Sequence, residues 1–452
     1  MAIKAGQLLW SAGGTPGYNF IIDRLQSADV RPNVPKESVM ELGNQYTVGV
    51  VRDTPDLSFD CESFDMTAKL EAMILGGGYG WVTSVPSYFS NLDPASLSAG
   101  QQLDFNAQVP LNILAPFRSS QVIDTITQGC IVPNLALASF SYRLAVRQNA
   151  QMTATFRGDS IFYTPGLPYE DVMIWDGTAT GGISDYTMQP YINVAVDGLT
   201  QHVLNMVYYN PDGTYGRLFN GADFDFTDTS TTWTFSASVT ITAGIAYFTN
   251  GNVMQTGALI VWDYSSTNSY SIPQSDNTAD GTTVKPAAVR SYDIQVYFGS
   301  QASTPVWTQV SGVQGVDLTW TASGMEQNWE FGNALASSID YVVPAVTGTV
   351  TVRPNTVTQL LNLLDTTADV AASHVIGALS SAPLPMAVVF RSPGPDPAAG
   401  TAIKSLYTAD AHFDPPDLSM RVNQKLDMPF AMQSDTGSFF TYNGLMPGLP
   451  TS

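Results

Sequence analysis

Leu25-Gln26-Ser27-Ala28-Asp29-Val30 returns late in the chain as Val313-Gln314-Gly315-Val316-Asp317-Leu318. Three further blocks return in the same order. Glu41-Leu42-Gly43-Asn44 comes back as Glu330-Phe331-Gly332-Asn333, and Pro55 comes back as Pro344 at the same spacing. Asp65 and Asn355 each sit where a helix N-cap would. Thr67, Leu70, Met73 and Ile74 follow the first, and Val357, Leu360, Leu363 and Leu364 the second, each giving one apolar helical face. The strand-like run Pro110 to Ser119 matches Pro383 to Ser392, and beyond it Val146, Gln148 and Met152 match Val422, Gln424 and Met428. A single block of this size arises by chance. Collinear order across all of them reads as an internal duplication.

Each copy reads as strands, one helix, then strands. Leu57, Phe59 and Cys61 alternate with Ser58, Asp60 and Glu62. Val346, Val350 and Val352 alternate with Thr347, Thr349 and Thr351. This period of two marks strands with one packed and one wet face, and a single helix can cover one side of such a sheet. Gly76-Gly77-Gly78 follows the first helix as a stop. The division expected is a first β domain over 1–165, a middle segment over 166–286 and a second β domain over 287–452. The middle segment also reads as β, a small sandwich. Trp233, Phe235, Ala237, Val239 and Ile241 alternate with hydroxyl residues as one amphipathic strand. Asn210-Pro211-Asp212-Gly213 reads as a turn and Ser265 to Val284 as a linker or exposed loop.

Composition supports a mainly β protein with packed cores. Hydrophobic residues make up 44% and charged residues only 13%, against the pattern of disordered chains. Eighteen basic residues face 39 acidic ones, a net charge of −21. A sequence-independent DNA binder needs the opposite balance. Cys61 and Cys130 form no disulfide framework, and Cys61 reads as a small core residue. The apolar run Leu8-Leu9-Trp10 is too short for a signal peptide, and no run reaches the ~20 residues of a membrane span, so a soluble protein without a membrane anchor is expected.

Signals for chemistry are poor. His202, His374 and His412 show no metal-ligand spacing. Gly76 to Gly80 lacks the Lys-Ser/Thr of a phosphate loop. Asp276 to Gly281 lacks the length and closing Glu of a calcium loop. Asp223 and Asp225 share a strand face, a weak glycosidase-like pair. The expectation is no enzyme, no cofactor and no metal.

The order of these blocks is similar to the tail tube fold of long-tailed phages. The second copy carries it in Val316-Asp317-Leu318, Glu330, Gly332, Asn333 and Pro344. The first carries it in Val30, Glu41, Gly43, Asn44 and Pro55. The resemblance implies two tandem β-barrel or sandwich domains, each with a flanking helix, in a virion protein assembled in the host cytoplasm. It implies stacked rings forming a conduit through which dsDNA passes without being held. The partners implied are other copies of the chain, a tape-measure protein, and tail terminator and distal tail proteins. Since family members usually carry one such fold per chain in hexameric rings, three duplicated chains would make a pseudo-hexamer. Ser58, Asp60 and Glu62 are then the candidates to face the lumen. Two alternatives remain: a distal or baseplate ring protein of the same fold, and a glycan-binding adhesin using aromatics such as Trp233 and Trp262.

Overall fold

The computed structural model describes residues 24–40, 47–52, 56–75, 97–106, 111–118, 129–164, 167–175, 205–209, 215–219, 221–226, 233–249, 257–265, 288–300, 305–323, 325–328, 338–340, 343–354, 383–392, 400–414 and 426–450, with a few shorter pieces. The protein is mainly β and its pairings are antiparallel. The first copy supplies β1 (Leu9–Ser11), β2 (Phe20–Ile21), β3 (Leu25–Asn33), β4 (Asp56–Ser63), α1 (Lys69–Leu75), β5 (Leu111–Arg118), β6 (Gly129–Ala145), β7 (Gln151–Gly158) and β8 (Phe162–Thr164). The middle segment supplies β9 (Leu167–Trp175), β10 (Asn205–Tyr209), β11 (Tyr215–Leu218) and β12 (Gly257–Ser265). The second copy supplies β13 (Ile294–Gly299), β14 (Trp307–Gln309), β15 (Val313–Ser323), β16 (Val343–Val352), β17 (Leu384–Arg391), β18 (Ala402–Phe413), β19 (Met428–Ser434) and β20 (Phe440–Asn443).

One ladder runs through both copies in the order β3-β4-β7-β6-β15-β16-β19-β18. Its two halves repeat residue for residue. Leu25 pairs with Ser63 and Ser27 with Glu62, leaving Gln26 as a bulge. Val313 pairs with Val352 and Gly315 with Thr351, leaving Gln314 as the same bulge. Met152 faces Ser63, and Met428 faces Val352. A second layer repeats too. Leu111 pairs with Leu135 and Ile113 with Val132 across an irregularity, and Leu384 pairs with Ala411 and Met386 with Thr408 across the same one. The correspondence reaches upstream of the blocks read from sequence. Leu9 pairs with both Leu114 and Ile21, and Tyr297 with both Ala387 and Gln309. Cys130 pairs with Tyr163, and Leu406 with Thr441.

The two copies share one core. On the inner face of the ladder, Leu57, Phe59, Cys61, Phe140, Tyr142, Met152, Phe156, Leu318, Trp320, Val350 and Phe430 are buried in a single cluster. Ile113 and Val132 of the first copy's second layer, and Val388 and Phe390 of the second copy's, close over it. Burial pushes the Cys61 thiol up to about 12, so it packs as a small apolar group.

Several expectations need correction. The helix begins at Lys69, later than a cap at Asp65 implied. The Asp65 carboxylate accepts from the backbone N and the hydroxyl of Thr67, which closes a turn ahead of the helix. Leu70 and Ile74 of the expected apolar face are buried, and Glu71, Ala72 and Leu75 are buried as well. The run from Trp233 to Ile241 is two strands, Trp233–Phe235 and Thr240–Thr242. A turn separates them, in which Val239 donates to the Ser236 carbonyl and Ser238 reaches the Ser236 hydroxyl. Local serine bonds compete there with the sheet. The middle segment forms the four-stranded sheet β9-β12-β10-β11 and smaller pieces. Within the expected linker, Tyr270–Ser271 is a strand paired with Thr125–Ile126, as aromatic and β-branched residues favour. The second helix (355–364), Gly76 to Gly80, Asn210 to Gly213, and Asp276 to Gly281 lie outside the described residues.

Candidate functional site

The outer face of the ladder is a continuous polar surface among the described residues. Side chains alternate across a strand, so residues opposed to the buried ones line this face. In β4 the buried Leu57, Phe59, Cys61 and Ser63 alternate with the half-buried Asp56, Ser58, Asp60 and Glu62. The pairing register then carries one polar row across seven strands: Ser27, Glu62, Thr153, Ser141, Thr319, Thr347 and Gln433. Adjacent rows add Thr155, Ser139, Thr321 and Thr349. Threonine and serine on a wet strand face combine strand propensity with a neutral hydrogen-bonding surface.

The charges on this face cancel locally. Asp29 and Asp60 sit directly opposite each other, which alone would be repulsive. Arg31 lies 2.9 Å from the first and 3.3 Å from the second. Arg157 is 3.0 Å from Asp56. Arg143 faces Asp317 across the seam between the copies. Desolvation raises the Asp317 carboxyl, and the Arg143 charge offsets only part of that rise. Among the described residues, Arg31, Arg143 and Arg157 each stand beside a carboxylate on this face, and Glu62 adds a further negative charge. Among its described residues, such a surface offers a phosphate no cluster of free cations.

Of the residues singled out from sequence, Ser58, Asp60 and Glu62 come together on this face, and Pro344 lies at the start of β16. Glu41, Gly43, Asn44, Pro55, Glu330, Gly332 and Asn333 lie outside the described residues, as do His202 and His374. His412 is hydrogen-bonded to Asp435 at 2.6 Å. Asp223 is buried in a turn ahead of the strand Phe224–Phe226, where it accepts from the Phe219 backbone N at 2.9 Å. It braces a loop and does not share a strand face with Asp225. Trp233 and Trp262 lie on described strands, but their side chains lie outside the described residues.

No family model and no curated protein matches the chain.

Two buried charge contacts were not read from sequence, and both fasten parts of the molecule together. Glu71 on α1 meets Lys404 on β18 at 2.5 Å and accepts the Tyr142 hydroxyl from β6. All three are buried. Burial and the Glu71 charge raise Tyr142 well above its ordinary value, so it stays the donor. Lys404 also lies 4.7 Å from the Tyr142 ring centre. Helix, first copy and second copy are thus locked at one point. Arg217 on β11 makes a bidentate pair with Asp159, 2.7 and 3.0 Å long, tying the middle sheet to the first copy. A signal existed for the first: a Glu on an apolar helix face and a Lys inside a buried strand.

Proposed function

We propose that the chain is a structural subunit of a phage tail tube. Three chains, each bringing two copies of the fold, form a pseudo-hexameric ring, and rings stack into a conduit for dsDNA. The role is mechanical and not catalytic, and the site of action is the virion. The observation that carries this reading is the ladder itself. Two copies in identical register share one sheet, so the unit is built to continue side by side, as a ring wall must. The polar outer face fits a lumen: hydroxyls and internally balanced charges give passing phosphates little to hold. The net charge of −21 acts in the same direction.

Electron microscopy of the purified protein tests the proposal. The expected result is hollow rings or tubes with apparent sixfold repeats made of three chains. Monodisperse monomers at every salt concentration would overturn it. Single rings that never stack would move the assignment to a distal or baseplate ring component.

A further inference from the structure

The contact between Glu71 and Lys404 leaves one atom unaccounted for. Lys404 Nζ donates to Glu71 Oε1 at 2.5 Å and reaches the Thr67 carbonyl at 3.4 Å. The Tyr142 hydroxyl donates to the same Oε1. Glu71 Oε2 is buried and has no hydrogen-bond partner among the described residues. Both side chains are fully buried, and Nζ lies 4.7 Å and 5.5 Å from the ring centres of Tyr142 and Phe390. An orphaned carboxylate oxygen in such a site is costly. As an ion pair, the group carries one oxygen too many.

We propose that Glu71 and Lys404 close into an amide within the chain. The bond from Nζ to the Glu71 carboxyl carbon forms, and the bond from that carbon to Oε2 breaks. Nζ gives up two of its three protons, and both leave with Oε2 as water. Atoms, charges and electrons balance without an oxidant or a co-reactant. The product suits the site. Oε1 becomes the amide carbonyl and keeps the Tyr142 bond. The remaining N–H keeps the Thr67 carbonyl, and the oxygen without a partner is gone.

The surroundings favour the step. Nζ touches Oε1, one bond from the carbon it attacks, and the fold holds the two groups there. Moving one proton along the existing hydrogen bond gives a neutral amine beside a carboxylic acid, the forms that react and the forms that an apolar site accepts most readily. The Tyr142 hydroxyl points at Oε1, where negative charge develops in the tetrahedral intermediate. Exclusion of water opposes the reverse hydrolysis. The bond ties α1 of the first copy to β18 of the second, 333 residues apart in sequence, and it does not depend on the tube reading. Fresh protein holds the ion pair described above, and aged protein holds the amide.

Mass spectrometry of the intact, unfolded chain after increasing times of incubation tests the proposal. The expected result is a growing fraction one water lighter than the composition requires. Its digest should yield a branched peptide joining Glu71 to Lys404. Protein already lighter by one water when fresh, with that branched peptide, would support the bond equally. Lys404→Arg should keep its full mass. Tyr142→Phe should lose water about tenfold more slowly or worse. Glu71→Gln, which releases ammonia in place of water, should reach the same final mass as wild type. Full mass in wild type after prolonged incubation, water loss without the branched peptide, or equal loss in Lys404→Arg would each overturn the proposal. The wild-type measurement decides even where a variant fails to fold.

Discussion

Lys404 is the residue that most plainly pays a cost in isolation and gains it back in company. A fully buried ammonium is tolerated because Glu71 neutralises it and the Thr67 carbonyl accepts a second bond from it. Removing one charge should strand the other. Lys404→Met is expected to lose about 3–5 kcal/mol of stability, read from the denaturant midpoint. Lys404→Met with Glu71→Leu should recover most of that loss. If the double variant is as unstable as the single one, the cost lies in packing and not in the orphaned charge. Asp410 gives a pH-dependent counterpart. Burial opposes its ionisation, but bonds from Ser434, from the Thr436 backbone N and from Thr408 hold its carboxyl below the ordinary value. A lowered folded value means stability that is present above the unfolded value, about 3.9, and lost as pH falls through the folded one. Wild type should therefore exceed Asp410→Asn in urea midpoint at pH 6, and the gap should close toward pH 2.5. A gap that stays constant with pH would assign the effect to lost geometry alone.

The bulge that opens each copy offers a test of element-level equivalence. Arg24 and Gly312 stand just before the two bulges, with φ of 51° and 79°. The Arg24 carbonyl accepts from the Phe64 backbone N, and the Gly312 carbonyl from the Arg353 backbone N. The same left-handed turn is thus made once with glycine and once without. A Cβ at Gly312 would lie 2.4 Å from the Arg353 carbonyl oxygen. Gly312→Ala should cost about 1–3 kcal/mol by denaturant unfolding, while Arg24→Gly should change stability by less than about 1 kcal/mol. Equal losses at both sites would mean the two turns are not equivalent. This equivalence was readable in part. The blocks around Gln26 and Gln314 have similar residues because bulge, turn and strand place similar demands on them. β1 and β2 match β13 and β14 in pairing, but backbone ladders accept almost any side chain, so their sequences carried no such mark. Alternation over Leu57 to Ser63 announced a two-faced strand correctly, since one face is core. The same period over Trp233 to Ile241 misled, because a turn closed by Val239 on the Ser236 carbonyl broke the run and left Ala237 exposed. Glu71, Lys404, Arg217 and Asp159 escaped because their partners are distant in sequence.

At the scale of the whole molecule, assembly must bring together surfaces that repel. Each chain carries a net charge of −21. Chains that meet in a ring oppose that repulsion with short-range contacts, apolar burial and local ion pairs. Salt weakens both kinds of electrostatic effect, so its net influence depends on which is larger. Exposed ion pairs contribute only about 0.2–1 kcal/mol each. The repulsion sums over many charges spread beyond contact distance and is the part most sensitive to screening, as the Debye length falls from about 30 Å at 0.01 M to about 10 Å at 0.1 M. Repulsion should therefore dominate, and adding salt over that range should shift the protein toward larger species in analytical ultracentrifugation. Assembly that instead weakens as salt is added would make ion pairs between chains the main attraction.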